Sequence, residues 1–280
     1  MNSLSKSSLK DLLKGKLTAA ELQLLRNSYD VTGNIAVLEI PKELKKKEKL
    51  IAAAVQWHHK NIQTVAKRAS IHRGTYRTQK VRIILGKKTT ETTHKESSTL
   101  IKLDIAKVYF SPRLASERLR IAHMIKPGEK ILVMFSGVAV YPVVIAKNSK
   151  AAIIYGIEKN PVAHMYAQEN ILLNKLQNRV VLKKGDVKKI AAILPLKFDR
   201  IIMPLPKDAQ EYLAEAVQAS GKRCTIHYYT FGTIEEAPHK AQTVKELIKT
   251  LGRSCKILRV VKCGQYSPRV HRLCVDLDVF

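Results

Sequence analysis

The alternation of apolar and polar positions divides the chain into three stretches. Over residues 1–28, Leu9, Leu12, Leu13, Leu17, Leu22, Leu24 and Leu25 mark one apolar face, interrupted by Gly15, which predicts an amphipathic helix or helical hairpin. Residues 29–40 read as two short strands about a Gly33-Asn34 turn. A helix over 43–59, apolar at Leu50, Ala53, Ala54 and Trp57, and strand-like pieces at 62–66, 75–85, 99–105 and 107–110 complete a small α+β module over 29–104.

From Arg113 onward strands and helices alternate. Helices are predicted at 116–124, 141–147, 161–174, 188–193, 208–219 and 237–251, and strands at 131–135, 152–157, 179–182, 198–203, 223–229, 255–263 and 270–279. Asn160-Pro161 is a strong helix start, with Asn as N-cap and Pro at the first helical position. Such alternation predicts an α/β domain over 105–280, a mostly parallel sheet covered on both faces. The two consecutive strands at the end form an antiparallel hairpin at one edge, which suits a Rossmann-like methyltransferase sheet better than a dinucleotide-binding dehydrogenase.

Charge narrows the partner. The 280 residues carry 50 Lys+Arg against 23 Asp+Glu, a formal charge of +27. This excess points to a polyanion, nucleic acid first and an anionic membrane surface second. It is shared, with +12 over residues 1–104 and +15 over 105–280. Residues 49–90 hold ten basic residues and no acid, which favours phosphate contact over a merely basic surface. Trp57, His72 and Tyr76 lie in that window and offer stacking faces, although a lone Trp is more often core. The longest apolar run, 138–146, is about half of the ~20 residues a membrane span needs, and the N-terminus lacks the apolar segment of a secretory signal. Cys224, Cys255, Cys263 and Cys274 include no C-x-x-C pair and read as core thiols in a reducing cytoplasm rather than a zinc site or disulfide.

Five constellations carry candidate chemistry. Gly137, in the loop after strand 131–135, permits close backbone approach to a cofactor or makes an ordinary turn. Glu158 follows it by 21 residues, at the end of the next strand, where an acid accepts both ribose hydroxyls of an adenosine cofactor or caps a helix. Asp186, after Gly185, accepts from an adenine amine or caps a turn. Met203-Pro204-Leu205-Pro206 is stiffened by two prolines and either holds a target nitrogen or simply turns the chain. Glu117 is the only carboxylate between Asp104 and Glu129 and lies among Arg113, Arg118 and Arg120. It serves as a general base, or as an i,i+4 salt-bridge partner of Arg113.

The segments DIAKVYFSPRLASERLRIA, ILVMFSGV, YGIEKNP, NILLNKL, GDV, FDRIIMPLP and IHYY, with YDVTGNIAVLEIP and GTYRTQ upstream, resemble the archaeal and eukaryotic tRNA guanosine-37 N1-methyltransferases over residues 29–280. The resemblance implies a small RNA-positioning domain, a Rossmann-like domain that binds S-adenosylmethionine without a metal, and methyl transfer to N1 of guanosine 37 in tRNA. A cytoplasmic monomer is the default expectation. It assigns Glu117 as the base, Arg77 as the contact to guanine O6, and Tyr109 to the catalytic pocket. Phe135, Ser136, Gly137, Val138, Glu158, Lys159, Asp186, Val187 and Pro204 are the implied cofactor residues. Arg73, Lys107, Arg113, Arg118 and Pro206 are the implied RNA and substrate residues. Two positions depart from the family pattern: Val133 stands where an Asp is common and Pro204 where an Asn is common. They leave open a second methylation at C7 of a wyosine precursor, an aminocarboxypropyl transfer, or a non-catalytic tRNA-binding protein.

Overall fold

A computed structural model describes residues 8–70 and 74–280. The chain forms two compact units that part inside a β-hairpin. One takes the residues up to Lys95 together with Lys102–Pro112; the other takes Glu96–Ile101 and Arg113–Phe280.

The first unit opens with two short helices, α1 (Leu9–Leu12) and α2 (Ala19–Leu24), each started by a reciprocal capping box, Ser8 with Asp11 and Thr18 with Glu21. Strands β1 (Asp30–Thr32) and β2 (Ile35–Leu38) follow, then helix α3 (Glu48–His58) and strands β3 (Thr64–Arg68) and β4 (Val81–Gly86). The sheet order is β1-β2-β3-β4, with β2 and β3 parallel and both outer pairs antiparallel. The β1–β2 turn needs glycine: Gly33 has φ +55°, and a Cβ there would lie 2.1 Å from Thr92 Oγ1.

The residues read as a separate extension share this unit's core. Leu9, Leu13, Leu17 and Leu25 pack with Ala36, Leu38, Leu44, Ile51, Val55 and Val65. Helix α3 buries Ile51, Ala52, Ala54 and Val55, so the expected face through Ala53 and Trp57 is corrected. The Ile51–Val55 pair sets the stripe and turns Trp57 outward, 79% exposed. One predicted strand is shortened and another is absent. Residues 74–77 form a turn before β4 begins, and 107–110 is not a strand, because the Lys107 and Val108 amides both bond back to Asp104 O.

Strands β5 (Glu91–Glu96) and β6 (Thr99–Asp104) pair as the separate hairpin in which the units part. The boundary expected after residue 104 therefore differs from the observed one. Residues 105–112 belong with the first unit, and Glu96–Ile101 belong with the second.

The second unit runs α4 (Ala115–His123), β7 (Lys130–Met134), α5 (Val140–Asn148), β8 (Ile153–Glu158), α6 (Pro161–Leu173), β9 (Val180–Lys184), α7 (Val187–Ile190), β10 (Phe198–Met203), α8 (Leu213–Ala219), β11 (Ser220–Gly232), α9 (Ala237–Thr250), β12 (Cys255–Gln265) and β13 (His271–Val279). Its sheet order is β12-β13-β11-β10-β7-β8-β9. Strands β7 to β11 are parallel, and β13 runs antiparallel between β11 and β12. Leu132, Met134, Ile157, Phe198, Ile201, Met203, Ile226 and Leu277 fill one face of the sheet with helices α8 and α9. The order reverses between β7 and β10. This switch point, at the carboxyl ends of the strands, is where a doubly wound sheet leaves a crevice for a ligand.

Candidate active site

The loop after β7 is bent tightly. Phe135, Gly137 and Ala139 all have positive φ, at 56°, 57° and 63°. Their neighbour Ser136 donates its amide to Ile157 O at 2.8 Å. Gly156 on β8 leaves room for the bend, because a Cβ there would press on Ser136 Oγ at 3.0 Å and Leu182 Cδ2 at 3.1 Å. That hydroxyl is buried with no hydrogen-bond partner among the described residues. Asn170 of α6, fully buried, holds the loop from below through Nδ2 to Val138 O at 2.9 Å.

Glu158 ends β8 beside this loop. Oε2 accepts from the Gly137 amide and Oε1 from the Asn160 amide, each at 2.7 Å. Burial pushes its carboxyl above the usual range, and these backbone donors only partly oppose the shift. Asp186, after β9, caps α7 by accepting from the Lys188 amide at 3.0 Å and from Lys159 Nζ at 2.8 Å. The Lys159 ammonium holds the Asp186 carboxyl below its usual value. Phe135 meets Tyr212 edge to face, with centroids 4.7 Å apart, and Lys188 Nζ lies 5.2 Å from the Tyr212 ring centre. Phe135, Ser136, Gly137, Glu158, Lys159 and Asp186 thus converge at the ends of β7, β8 and β9. Val138 and Val187 are buried, so they serve this cluster through backbone and packing. Pro204 is half-buried and Pro206 buried, in the loop after β10.

A second cluster centres on Glu117, in the first turn of α4 and almost wholly buried. Arg120 grips it with two bonds, Nε to Oε2 at 2.7 Å and Nη2 to Oε1 at 2.8 Å. Tyr229 Oη donates to Oε1 at 2.5 Å and receives a bond from Tyr141 Oη at 3.1 Å. Arg120 also reaches Asp276 Oδ2 at 2.8 Å. Asp276 accepts from His227 Nδ1 at 2.6 Å, His227 Nε2 faces Arg200 Nη1 at 2.7 Å, and Arg200 pairs with Glu129. Burial raises the Asp276 carboxyl, but the bonds from His227 and Arg120 overcome it and hold the group below the usual range. His227, Cys274 and Asp276 bring three ligand-type atoms within 4.8 Å of one another. Two guanidiniums, those of Arg120 and Arg200, already supply the positive charge there.

Two expectations about the arginines are corrected. The partner of Glu117 is Arg120 rather than Arg113, because Arg113 lies in the 3-10 turn before α4 and is out of helical register. Arg118, expected at the RNA, is buried, with its guanidinium bonded to both oxygens of Glu96 at 2.6 and 2.5 Å. It belongs to the fold.

The remaining implied residues lie in the first unit. Arg77, at φ 51°, stands with its guanidinium carbon 5.1 Å from the Tyr109 ring centre. Lys107 is exposed, with Asp104 3.4 Å away. Arg73, like His72, lies outside the described residues. Asn170, Tyr212, Tyr229 and Asp276 carry the site but were not singled out from the sequence. Asn170 and Tyr229 stand inside the quoted motifs NILLNKL and IHYY; Tyr212 and Asp276 stand in no motif.

The family model described as the TRM5/TYW2 methyltransferase domain matches residues 92–260, and that of the TYW2 N-terminal domain matches residues 9–89. The chain belongs to the TRM5/TYW2 methyltransferase family. Within that family it is 41% identical to tRNA (guanine(37)-N(1))-methyltransferase Trm5b of Pyrococcus abyssi, covering 92% of this chain and 76% of the relative. It is 30% identical to tRNA (guanine(37)-N(1))/4-demethylwyosine(37)-methyltransferase Taw22 of Nanoarchaeum equitans, covering 89% and 99%. The crystal structure of P. horikoshii TYW2 in complex with MeSAdo superposes with a TM-score of 0.81 at 27% identity, over 99% of both chains. For this TRM5/TYW2 member, the two clusters are therefore the strand-end crevice of a methyltransferase sheet and the carboxylate beside it.

Proposed function

We propose that this chain methylates N1 of guanosine 37 in tRNA, with S-adenosylmethionine as donor. The observation that carries the reading is the pair of clusters in one sheet: an adenosine-type crevice and a buried, doubly held carboxylate. The crevice fits the donor. Glu158 offers two acceptor oxygens to ribose hydroxyls, Phe135 and Tyr212 offer apolar faces to the purine, and Asp186 and the Val187 backbone border it. Ser136 Oγ has no hydrogen-bond partner among the described residues, and Gly137 and Val138 present backbone at close approach. The donor supplies an activated methyl group on a sulfonium.

The protein's own residues supply position and proton transfer. Glu117 takes the N1 proton on its carboxylate, through Oε2, which accepts only Arg120 Nε among the described residues. Arg120 keeps a partner in Asp276 when Glu117 becomes neutral, so proton uptake leaves no unpaired guanidinium behind. Arg113, just before α4, helps to orient the purine, and that orientation provides the rest. Pro204 cannot donate an amide, which favours a second reading on the same scaffold: methylation of a wyosine precursor at C7, or aminocarboxypropyl transfer to it. We place the enzyme in the cytoplasm as a monomer; among the described residues no helix is long and apolar enough to cross a membrane.

Nucleoside mass analysis tests this after incubation with tRNA bearing guanosine 37 and with tRNA bearing the wyosine precursor. N1-methylguanosine is expected from the first, and its absence overturns the reading. A product of aminocarboxypropyl mass from the second would instead establish the alternative. Glu117→Gln is expected to lower turnover at least a hundredfold; full activity in that variant removes Glu117 from the base role.

A further inference from the structure

Beyond Glu117, strand β11 carries a feature that the proposed reaction does not use. Tyr229, the donor to Glu117, is followed two residues later by Phe231 on the same face of the strand, about 7 Å along it. Phe231 is stacked by Tyr266 from the tip of the β12–β13 hairpin, with ring centroids 4.3 Å apart and planes tilted by 35°. Arg272, the register partner of Phe231 on β13, sets its guanidinium carbon 5.7 Å from the Phe231 ring centre. Tyr266 is 67% exposed, yet its backbone is tied. Its amide bonds to Val270 O at 2.9 Å, and the Ser267 amide bonds to the same oxygen at 3.0 Å. The hairpin also borders the segment that leads to Glu117, since a Cβ on Gly264 would lie 3.5 Å from Leu114 Cδ2.

The surrounding charge selects the occupant. Residues 247–275 hold seven Lys and Arg and no Asp or Glu, a second acid-free window, and Lys262 and Arg269 are exposed within it. A fixed aromatic face among cations, beside a proton-accepting carboxylate, is the chemistry that receives an unpaired nucleobase and its phosphate.

We propose that Tyr266 and Phe231 form a stacking platform for a base that flanks the methylated nucleotide in the anticodon loop. The proposal rests on the guanosine-37 reading and adds to it a specific subsite. The base belongs to a neighbouring nucleotide because the stack lies one same-face step along β11 from the Tyr229–Glu117 bond.

Binding of a labelled anticodon stem-loop, followed by fluorescence anisotropy on the full chain, tests this together with KM and kcat for tRNA. Tyr266→Ala is expected to weaken stem-loop binding and raise KM about tenfold, as loss of one stacked base does. Tyr266→Trp is expected to stay within about twofold of the wild type, because any broad aromatic face serves. Stem-loops abasic at position 36 or at position 38 locate the partner. One of them is expected to cost the wild type the same loss and to cost Tyr266→Ala nothing more. Binding by Tyr266→Ala within twofold of the wild type overturns the proposal, as does an abasic penalty that persists undiminished in that variant. Weakened S-adenosylmethionine binding in Tyr266→Ala also overturns it, by assigning the platform to the donor. A wild type that binds the stem-loop but transfers no methyl group removes the guanosine-37 reading alone, because the platform is read in binding.

Discussion

Asp276 accepts a 2.6 Å bond from His227 Nδ1, and this fixes the state of the imidazole. Nδ1 carries the proton, so Nε2 is the acceptor that faces Arg200. Burial pushes the His227 pKa below its ordinary value. Below about pH 6.5 the unfolded chain therefore takes up a proton that the folded chain refuses, and stability falls as pH falls. Urea unfolding at pH 7.5 and 5.5 is expected to show a loss in the wild type that is smaller in His227→Gln. Equal losses would mean that other groups set the pH dependence.

Tyr229 holds Glu117 through Oε1, opposite the oxygen proposed to take the proton. Tyr229→Phe removes the 2.5 Å bond to Oε1 and leaves the ring packed. A hydrogen bond to a charged group contributes about 1.5–3 kcal/mol, so a roughly tenfold or greater fall in single-turnover methyl transfer is expected. Calorimetry is expected to show unchanged donor affinity, since Glu158 and Ser136 remain intact. An unaltered transfer rate would leave Tyr229 with a packing role only.

Glu158, proposed to hold the donor's ribose, is expected to make donor binding sensitive to acid. Its raised pKa means that the carboxylate is lost at higher pH than an exposed Glu would lose it, and ribose hydroxyls then face a weaker acceptor. Isothermal titration is expected to give a dissociation constant that rises as pH falls from 7.5 to 5.5. In Glu158→Gln the constant is expected to be higher throughout and flat with pH. A flat wild-type profile would contradict this.

Arg118 and Glu96 form a buried pair with both partners nearly excluded from water. Removing one of them leaves a buried charge uncompensated, at a cost of about 3–5 kcal/mol. Arg118→Met is expected to lower the unfolding midpoint sharply. The double variant with Glu96→Leu is expected to recover much of the loss. A stable single variant with weakened tRNA binding would return Arg118 to the RNA surface.

Trp57 is open to solvent on a basic unit. Trp57→Ala is expected to leave the melting temperature within about 2 °C, as exposed substitutions do, and to weaken tRNA binding about tenfold if its ring stacks on a base. The salt dependence of binding is expected to stay unchanged, because no charge is removed. Unaltered affinity would make Trp57 a bystander.

The strand–helix alternation after Arg113 was legible because each element carries a full apolar face. Proline, glycine and asparagine mark several of its boundaries, and the Asn160-Pro161 start stands where it was expected. Glu158 was placed at a strand end by its 21-residue distance from Gly137, and Asp186 by its position after Gly185, and both do stand at strand ends because strand and helix lengths fix where these fall. Trp57 was misplaced because hydrophobicity alone does not say which of two overlapping helical stripes faces the core. The Glu117 network was only half visible. Asp276 lies 159 positions from Glu117 and reaches it through Arg120. Nothing local in a β-strand announces a partner that the sheet order supplies. Arg118 and Arg120 differ by two positions on α4, and that rotation sends one inward to Glu96 and the other across to Glu117.

Strand β13 is made after every other strand of its sheet, yet it lies between β11 and β12. Residues 271–279 pair with both of those strands and bring Asp276 between them. Without it Arg120 and His227 have no carboxylate between them. The charge network that holds Glu117 through Arg120 is therefore completed by a strand inserted between two earlier ones, so a change that loosens β13 is expected to disturb a carboxylate more than 150 positions away.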